Sequence, residues 1–127
     1  EIESLHRMKT GALLRAPLAA AVLLADAAGP RADALLRLGE TLGLAFQVQD
    51  DILDAVATAD ALGKTPGKDQ VRGKSTYVTR LGLEAARARL AGLSADIRTI
   101  LAACGDGSDA SGTCLSALVG YILDRRS

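Results

Sequence analysis

Apolar positions are denser at the start of this chain than an exposed helix tolerates. From Ala16 to Ala25 every residue is apolar (APLAAAVLLA), bounded by Arg15 and Asp26. Residues 4–28 hold no β-branched run and stop at the breaker pair Gly29-Pro30, which predicts one helix. A helix apolar on all sides is normally buried on all sides. Few helical domains of 127 residues can bury one helix so fully, so more protein is expected around it. The run of ten is too short to span a bilayer. Pro17, inside it, should remove one backbone hydrogen bond and kink the helix.

A second helix is predicted over 31–57, where Leu35, Leu36, Leu38, Leu42, Leu44, Phe46, Val48, Ile52 and Leu53 give broad apolar coverage. Residues 58–76 (TADALGKTPGKDQVRGKST) read as a long polar connection with three glycines, one proline and four basic residues. Unstructured connections of this length are usually functional or disordered. Leu83, Ala86, Leu90, Leu93, Ile97, Ile100 and Leu101 recur at helical spacing over about 83–103. Gly105 to Gly112 is turn-rich, and a last helix covers about 113–125. With neither strand pattern nor internal repeat, the expectation is an all-α fold.

Composition sharpens this picture. Ala (24) and Leu (21) supply over a third of the chain, and both favour helices. Aromatic residues are 2% (Phe46, Tyr77 and Tyr121), so the core must be aliphatic. Fifteen Lys+Arg balance fifteen Asp+Glu, without the basic excess of a nucleic-acid-binding module. Cys104 and Cys114 do not make a disulfide framework in a helical chain and read as reduced cytosolic thiols. The opening Glu1-Ile2-Glu3, without an initiator Met, suggests a piece of something longer.

The chemistry is concentrated in Gln47-Val48-Gln49-Asp50-Asp51-Ile52-Leu53-Asp54. On a helix Asp50 and Asp54 lie about 40° apart, Gln47 about 60° from Asp50, and Asp51 about 100° from Asp50. Two carboxylates one turn apart repel, and a divalent cation would relieve the repulsion. Mg²⁺ prefers one or two carboxylates completed by water and phosphate oxygens. A solvated acidic face is the bland alternative, which the apolar surroundings disfavour. An EF-hand fits poorly, because its alternating loop spacing and glycine are missing.

Basic residues lie on either side of this cluster in sequence. Lys9-Thr10 follows His6-Arg7 near the start of the first helix, where a cation and a hydroxyl could hold phosphate or simply form a basic helix start. Lys64, Lys68, Arg72 and Lys74 punctuate the connection. Gly73-Lys74-Ser75-Thr76 resembles the tail of a P-loop but fails the pattern: Gly67 and Gly73 are separated by five residues, and no strand precedes them. The lysines remain able to bind phosphate as point charges, while Lys68 and Arg72 read equally as solvated loop. Aspartates for Mg²⁺, lysines for phosphate and an apolar helical cavity together suggest a diphosphate on an apolar tail.

At this level of detail the chain resembles the trans-polyprenyl diphosphate synthases, specifically the bacterial farnesyl type. The likeness rests on His6-Arg7-Met8-Lys9-Thr10-Gly11-Ala12-Leu13, on the block Gly43-Leu44-Ala45-Phe46-Gln47-Val48-Gln49-Asp50-Asp51-Ile52-Leu53-Asp54, on Leu62-Gly63-Lys64 and on Gly73-Lys74-Ser75-Thr76-Tyr77, in order and at the right spacing. It implies that residues 1–127 are the C-terminal portion of one larger all-helical domain, an antiparallel bundle of the isoprenoid (terpenoid) synthase fold. The implied reaction joins an allylic diphosphate (dimethylallyl or geranyl) to isopentenyl diphosphate, with Mg²⁺ (or Mn²⁺) as cofactor, in a cytoplasmic homodimer.

The resemblance also implies roles by position. Asp50 would be the principal Mg²⁺ ligand, Asp54 would support it directly or through water, and Asp51 would act in the outer shell. Lys9, Lys64 and Lys74 would contact the allylic diphosphate. Thr10 and Gln47 would face the allylic cation, with Phe46 beside it. Arg125 and Arg126 match the basic end that helps close the isopentenyl site. The family's first aspartate-rich motif and its isopentenyl-binding residues have no counterpart in these 127 residues, so the chain alone is expected to be inactive. The alternatives are a non-catalytic synthase-like regulatory subunit and a class I terpene cyclase. The latter normally builds its second metal motif from Asn, Ser/Thr and Glu.

Overall fold

The computed structural model describes residues 11–62, 76–104 and 110–124. Among them every regular element is a helix: α1 (Ala12–Leu24), α2 (Pro30–Leu62), α3 (Tyr77–Leu81), α4 (Leu83–Cys104) and α5 (Ala110–Leu123). None is long and apolar enough to cross a membrane.

The 33-residue α2 is the element against which the others pack, α4 most extensively. Its core face follows the helical period through Ala34, Leu38, Leu42, Ala45, Val48 and Ile52. These residues meet Ala86, Leu93, Ile97, Ile100 and Cys104 of α4, with Tyr77 of α3 and Val119 of α5 closing the cluster. Leu38, Val48 and Ile97 are the largest side chains wholly removed from water. Tyr77 is the one aromatic residue of this buried cluster.

The helices expected over 31–57 and 83–103 are present. The former runs five residues further, to Leu62, because Thr58-Ala59-Asp60-Ala61-Leu62 contains no breaker. The Thr58 hydroxyl joins it by donating to the Asp54 carbonyl at 2.7 Å. The last helix starts at Ala110, three residues before the predicted position. Helix α1 runs unbroken through Pro17 and ends at Ala25, whose N–H bonds the Ala21 carbonyl. Asp26 (φ 46°) and Gly29 (φ 88°) then turn the chain into α2. A residue with a Cβ is strained at the Gly29 angle. Residues 4–10 of the predicted first helix lie outside the described residues.

Helix α1 lies at the surface of the described residues. It is not enclosed: no residue of it is fully buried, and Leu13, Leu23 and Leu24 are 72%, 79% and 88% exposed. Only one side, through Leu14 and Leu18, packs on the core. Within these residues α2 is the sole long surface against which it lies.

The α1–α2 contact is set by glycines. A Cβ built on Gly43 would stand 2.4 Å from the Gly11 Cα, and one on Gly39 would stand 2.8 Å from the Arg15 Cα. The order of these contacts makes the two helices antiparallel. Arg15 and Glu40 add an ion pair at 3.2 Å over the crossing. Both side chains are about half exposed, so the pair adds little beyond orientation.

Candidate functional site

The α2 face that receives α1 at Gly39 and Gly43 continues as a polar stripe. Gln47 follows Gly43 by four residues, Asp50 follows Gln47 by three and Asp54 follows Asp50 by four, spacings that keep them on one face. Phe46, four before Asp50, borders the same stripe. Gly43 is buried, Phe46, Gln47 and Asp50 are half-buried, and Asp54 is exposed. The stripe thus grades from a tight backbone contact to open carboxylates. Gly11, the residue after Thr10, marks its inner end by touching Gly43.

Asp51 turns away from this stripe. Its Oδ2 accepts the backbone N–H of Tyr77 at 2.8 Å, across 26 residues of sequence. Tyr77 opens α3, whose start is otherwise closed by a capping box. The Thr76 hydroxyl accepts from the Thr79 N–H at 3.1 Å, and the Thr79 hydroxyl accepts from the Thr76 N–H at 2.9 Å. On the opposite flank Gln49, a buried polar residue, donates through Nε2 to the Leu123 carbonyl at 3.0 Å and ties α5 to α2.

The aspartates therefore divide. Asp50 and Asp54 face one way, while Asp51 engages α3. Among the described residues no three His, Cys, Asp or Glu side chains converge on a common point. Two hard carboxylates one turn apart, partly open to solvent, suit a cation that takes one or two protein ligands and leaves its remaining positions to water and phosphate. They do not suit a fully protein-lined cage. The donor set fits Mg²⁺.

Of the residues singled out by sequence, the structure brings Phe46, Gln47, Asp50 and Asp54 together and sets Asp51 at their edge. Lys9, Thr10, Lys64 and Lys74 lie outside the described residues, as do His6, Lys68, Arg72, Arg125 and Arg126. Sequence reasoning passed over four contributors: Gly39 and Gly43, which let α1 approach, and Gln49 and Tyr77, which receive α5 and α3. The glycines carry a usable signal, small residues four apart on one helix face. The Thr76-x-x-Thr79 pattern was a usable capping signal for α3.

The all-helical scaffold, with its glycine-seated helix pair leading to an aspartate stripe, is consistent with the all-α isoprenoid synthase fold, and the family match assigns it there. The chain belongs to the family described as "Polyprenyl synthetase", whose sequence profile matches residues 1–100. It is 48% identical over 126 residues to farnesyl diphosphate synthase of Escherichia coli (strain K12), covering 98% of this chain and 42% of that protein. It is also similar to farnesyl diphosphate synthase of Micrococcus luteus, with 41% identity over 68% of this chain and 30% of that one. With the chloroplastic geranylgeranyl pyrophosphate synthase of Capsicum annuum it shares 38% identity over 98% of this chain and 33% of that protein. The chain spans less than half the length of each of these relatives.

Proposed function

We propose that the protein containing these residues is a prenyltransferase that condenses an allylic diphosphate with isopentenyl diphosphate, giving farnesyl diphosphate. The observation that carries this reading is the Gln47–Asp50–Asp54 stripe at the open end of the Gly43–Gly11 contact. The 48% identity to a farnesyl diphosphate synthase supports it.

In this reading Asp50 and Asp54 would hold Mg²⁺, and Lys9, Lys64 and Lys74 would grip the allylic diphosphate as point charges. When bound, the ion supplies electrostatic stabilisation to the departing diphosphate. The allylic C–O bond breaks and the diphosphate leaves with the bonding electrons. Gln47 and Thr10 turn oxygens toward the positive charge left on the allyl group, and Phe46 walls its apolar side. The isopentenyl double bond attacks that carbon, forming the new C–C bond, and the resulting cation gives a proton to the released diphosphate, which restores a double bond. Aliphatic walls keep water from quenching the cation. We further propose a cytoplasmic homodimer, and inactivity for the 127 residues taken alone, because they carry one aspartate-rich motif.

Incubating the complete protein with labelled isopentenyl diphosphate, an allylic diphosphate and Mg²⁺ tests this reading. Label appearing in a fifteen-carbon diphosphate is the expected result. A twenty-carbon product would correct the chain length. No incorporation into any prenyl product would overturn the reading, and a cyclised, unlabelled product would assign a cyclase.

A further inference from the structure

Gly11 joins helix α1 to Lys9-Thr10, and its backbone lies on Gly43. A Cβ built on Gly43 would stand 2.4 Å from the Gly11 Cα and 3.1 Å from the Gly11 nitrogen. That nitrogen is bonded to the Thr10 carbonyl carbon, so the contact reaches the Thr10–Gly11 peptide itself. Chain connectivity keeps the Thr10 and Lys9 Cα atoms within about 4 and 7 Å of the Gly11 Cα. Along α2, Gln47 follows Gly43 by one turn, a rise of about 6 Å. A cation, a hydroxyl and an amide are therefore referred to one backbone contact, with no rotatable side chain at that contact to absorb an error.

The second α1–α2 contact differs in what lies beside it. Gly39 meets Arg15, four residues further along α1 and four residues earlier on α2. A Cβ there would stand 2.8 Å from the Arg15 Cα and 3.3 Å from Leu18 Cδ1. It seats the same helix pair more than a turn away from both Thr10 and Gln47.

We propose that Gly43 is a positioning residue: acting through Gly11, it sets Lys9 and Thr10 at a fixed distance from Gln47. The roles of those three residues rest on the proposed function; the glycine contact does not. A Cβ on Gly43 must move the Gly11 backbone by about 1 Å, from 2.4 Å to the 3.4 Å where ordinary contact begins. A displacement of that size in a reacting constellation lowers the rate by roughly a hundredfold.

The test measures prenyl transfer by the complete protein with labelled isopentenyl diphosphate, geranyl diphosphate and Mg²⁺. Gly92→Ala, at an exposed α4 position with open space around it, is carried in every chain to support the fold. Circular dichroism fixes a temperature at which each chain is folded. Gly43→Ala should lower kcat/KM for geranyl diphosphate by roughly a hundredfold. The KM for isopentenyl diphosphate should stay within about threefold, because Lys9 and Thr10 serve the allylic substrate. Gly39→Ala should lose less than about tenfold in either parameter, since its contact lies away from these groups. The deciding readout is a double-mutant cycle. In a Lys9→Ala, Thr10→Ala background, Gly43→Ala should lower the remaining rate by less than about threefold, because the groups it positions are gone.

The same hundredfold loss in both backgrounds would make the effect independent of Lys9 and Thr10 and overturn the proposal. Equal losses in Gly43→Ala and Gly39→Ala, or a parental rate in Gly43→Ala, would overturn it as well. So would a Gly43→Ala chain that folds at no temperature while Gly39→Ala folds, since the contact would then be a requirement of folding. A parent that transfers no prenyl group would fail the proposed function and take this role with it. The other failures occur in an active parent and leave that function standing.

Discussion

Gly43 and Gly11 meet backbone to backbone: a Cβ on Gly43 would fall 2.4 Å from the Gly11 Cα, well inside any permitted contact. This pair sets the separation of α1 and α2 at the point where the polar stripe begins. Gly43→Ala must therefore push α1 away, because the obstructing atoms are backbone and cannot rotate aside. The expected cost is about 1–3 kcal/mol, the range for overpacking a fitted contact. Gly92 is the control, an exposed α4 glycine with open space around its Cβ direction. Gly92→Ala should stabilise by about 0.5–1 kcal/mol through helix propensity. Paired thermal melts check the opposite signs; two shifts in the same direction would refute the contact argument.

Gln49 holds the end of α5 through its bond to the Leu123 carbonyl. Gln49→Glu replaces the donating amide with a carboxylate facing that carbonyl in a buried position. The carbonyl loses its donor and the new charge is desolvated, so the variant should lose about 1–3 kcal/mol or more of stability. Gln49→Met keeps volume and adds no charge, so it should lose less. Chemical denaturation of the two variants ranks them. Limited proteolysis should cut the Glu variant within α5 before the rest of the chain.

In the complete protein the aspartate stripe predicts a sharp contrast in turnover. Asp50→Ala deletes the half-buried carboxylate at the centre of the stripe and should lower the rate at least about a hundredfold, the scale of removing one electrostatic stabiliser from a reacting centre. Lys68→Ala alters a residue whose surroundings in sequence read as solvated loop, and should change the rate by less than about threefold, under 1 kcal/mol of barrier. Steady-state rates with the two substrates measure both. Equal losses would mean that the loop charges have been assigned wrongly.

These residues also mark how far sequence carries. The apolar spacing of Leu93, Ile97 and Ile100 located α4 to within a residue, because burial against α2 imposes the helical period. Asp50 and Asp54 were legible as a pair because helix geometry alone puts them one turn apart. Helix α3 was not, since Tyr77-Val78-Thr79-Arg80-Leu81 is one turn long, rich in β-branched residues and stabilised by its cap and by Asp51. The Gly43–Gly11 approach and the Asp51–Tyr77 bond join positions far apart in the chain, and no local pattern encodes such a partner. The uniformly apolar α1 is a related case. Its composition reports what a helix can bury, while exposure depends on what packs against it.

The two thiols should separate by reactivity. Cys104 is buried at the end of α4, and desolvation raises its thiol above the usual range, with Arg31 opposing the rise. Cys114 is exposed on α5. Since the thiolate is the nucleophile, an alkylating reagent at pH 8 should label Cys114 rapidly and reach Cys104 only when the chain opens. The shift also has a sign for stability. The folded chain holds the Cys104 proton more tightly than the unfolded chain does, so its contribution is fully present below the ordinary thiol value. It is lost as pH rises through the higher folded value, because the unfolded thiol ionises first. Denaturation midpoints taken at neutral pH and above the ordinary thiol range should therefore converge in Cys104→Ala relative to the parent. Labelling followed by peptide mass mapping checks the first half; Cys104 reacting as fast as Cys114 in the folded chain would show that α4 does not bury it.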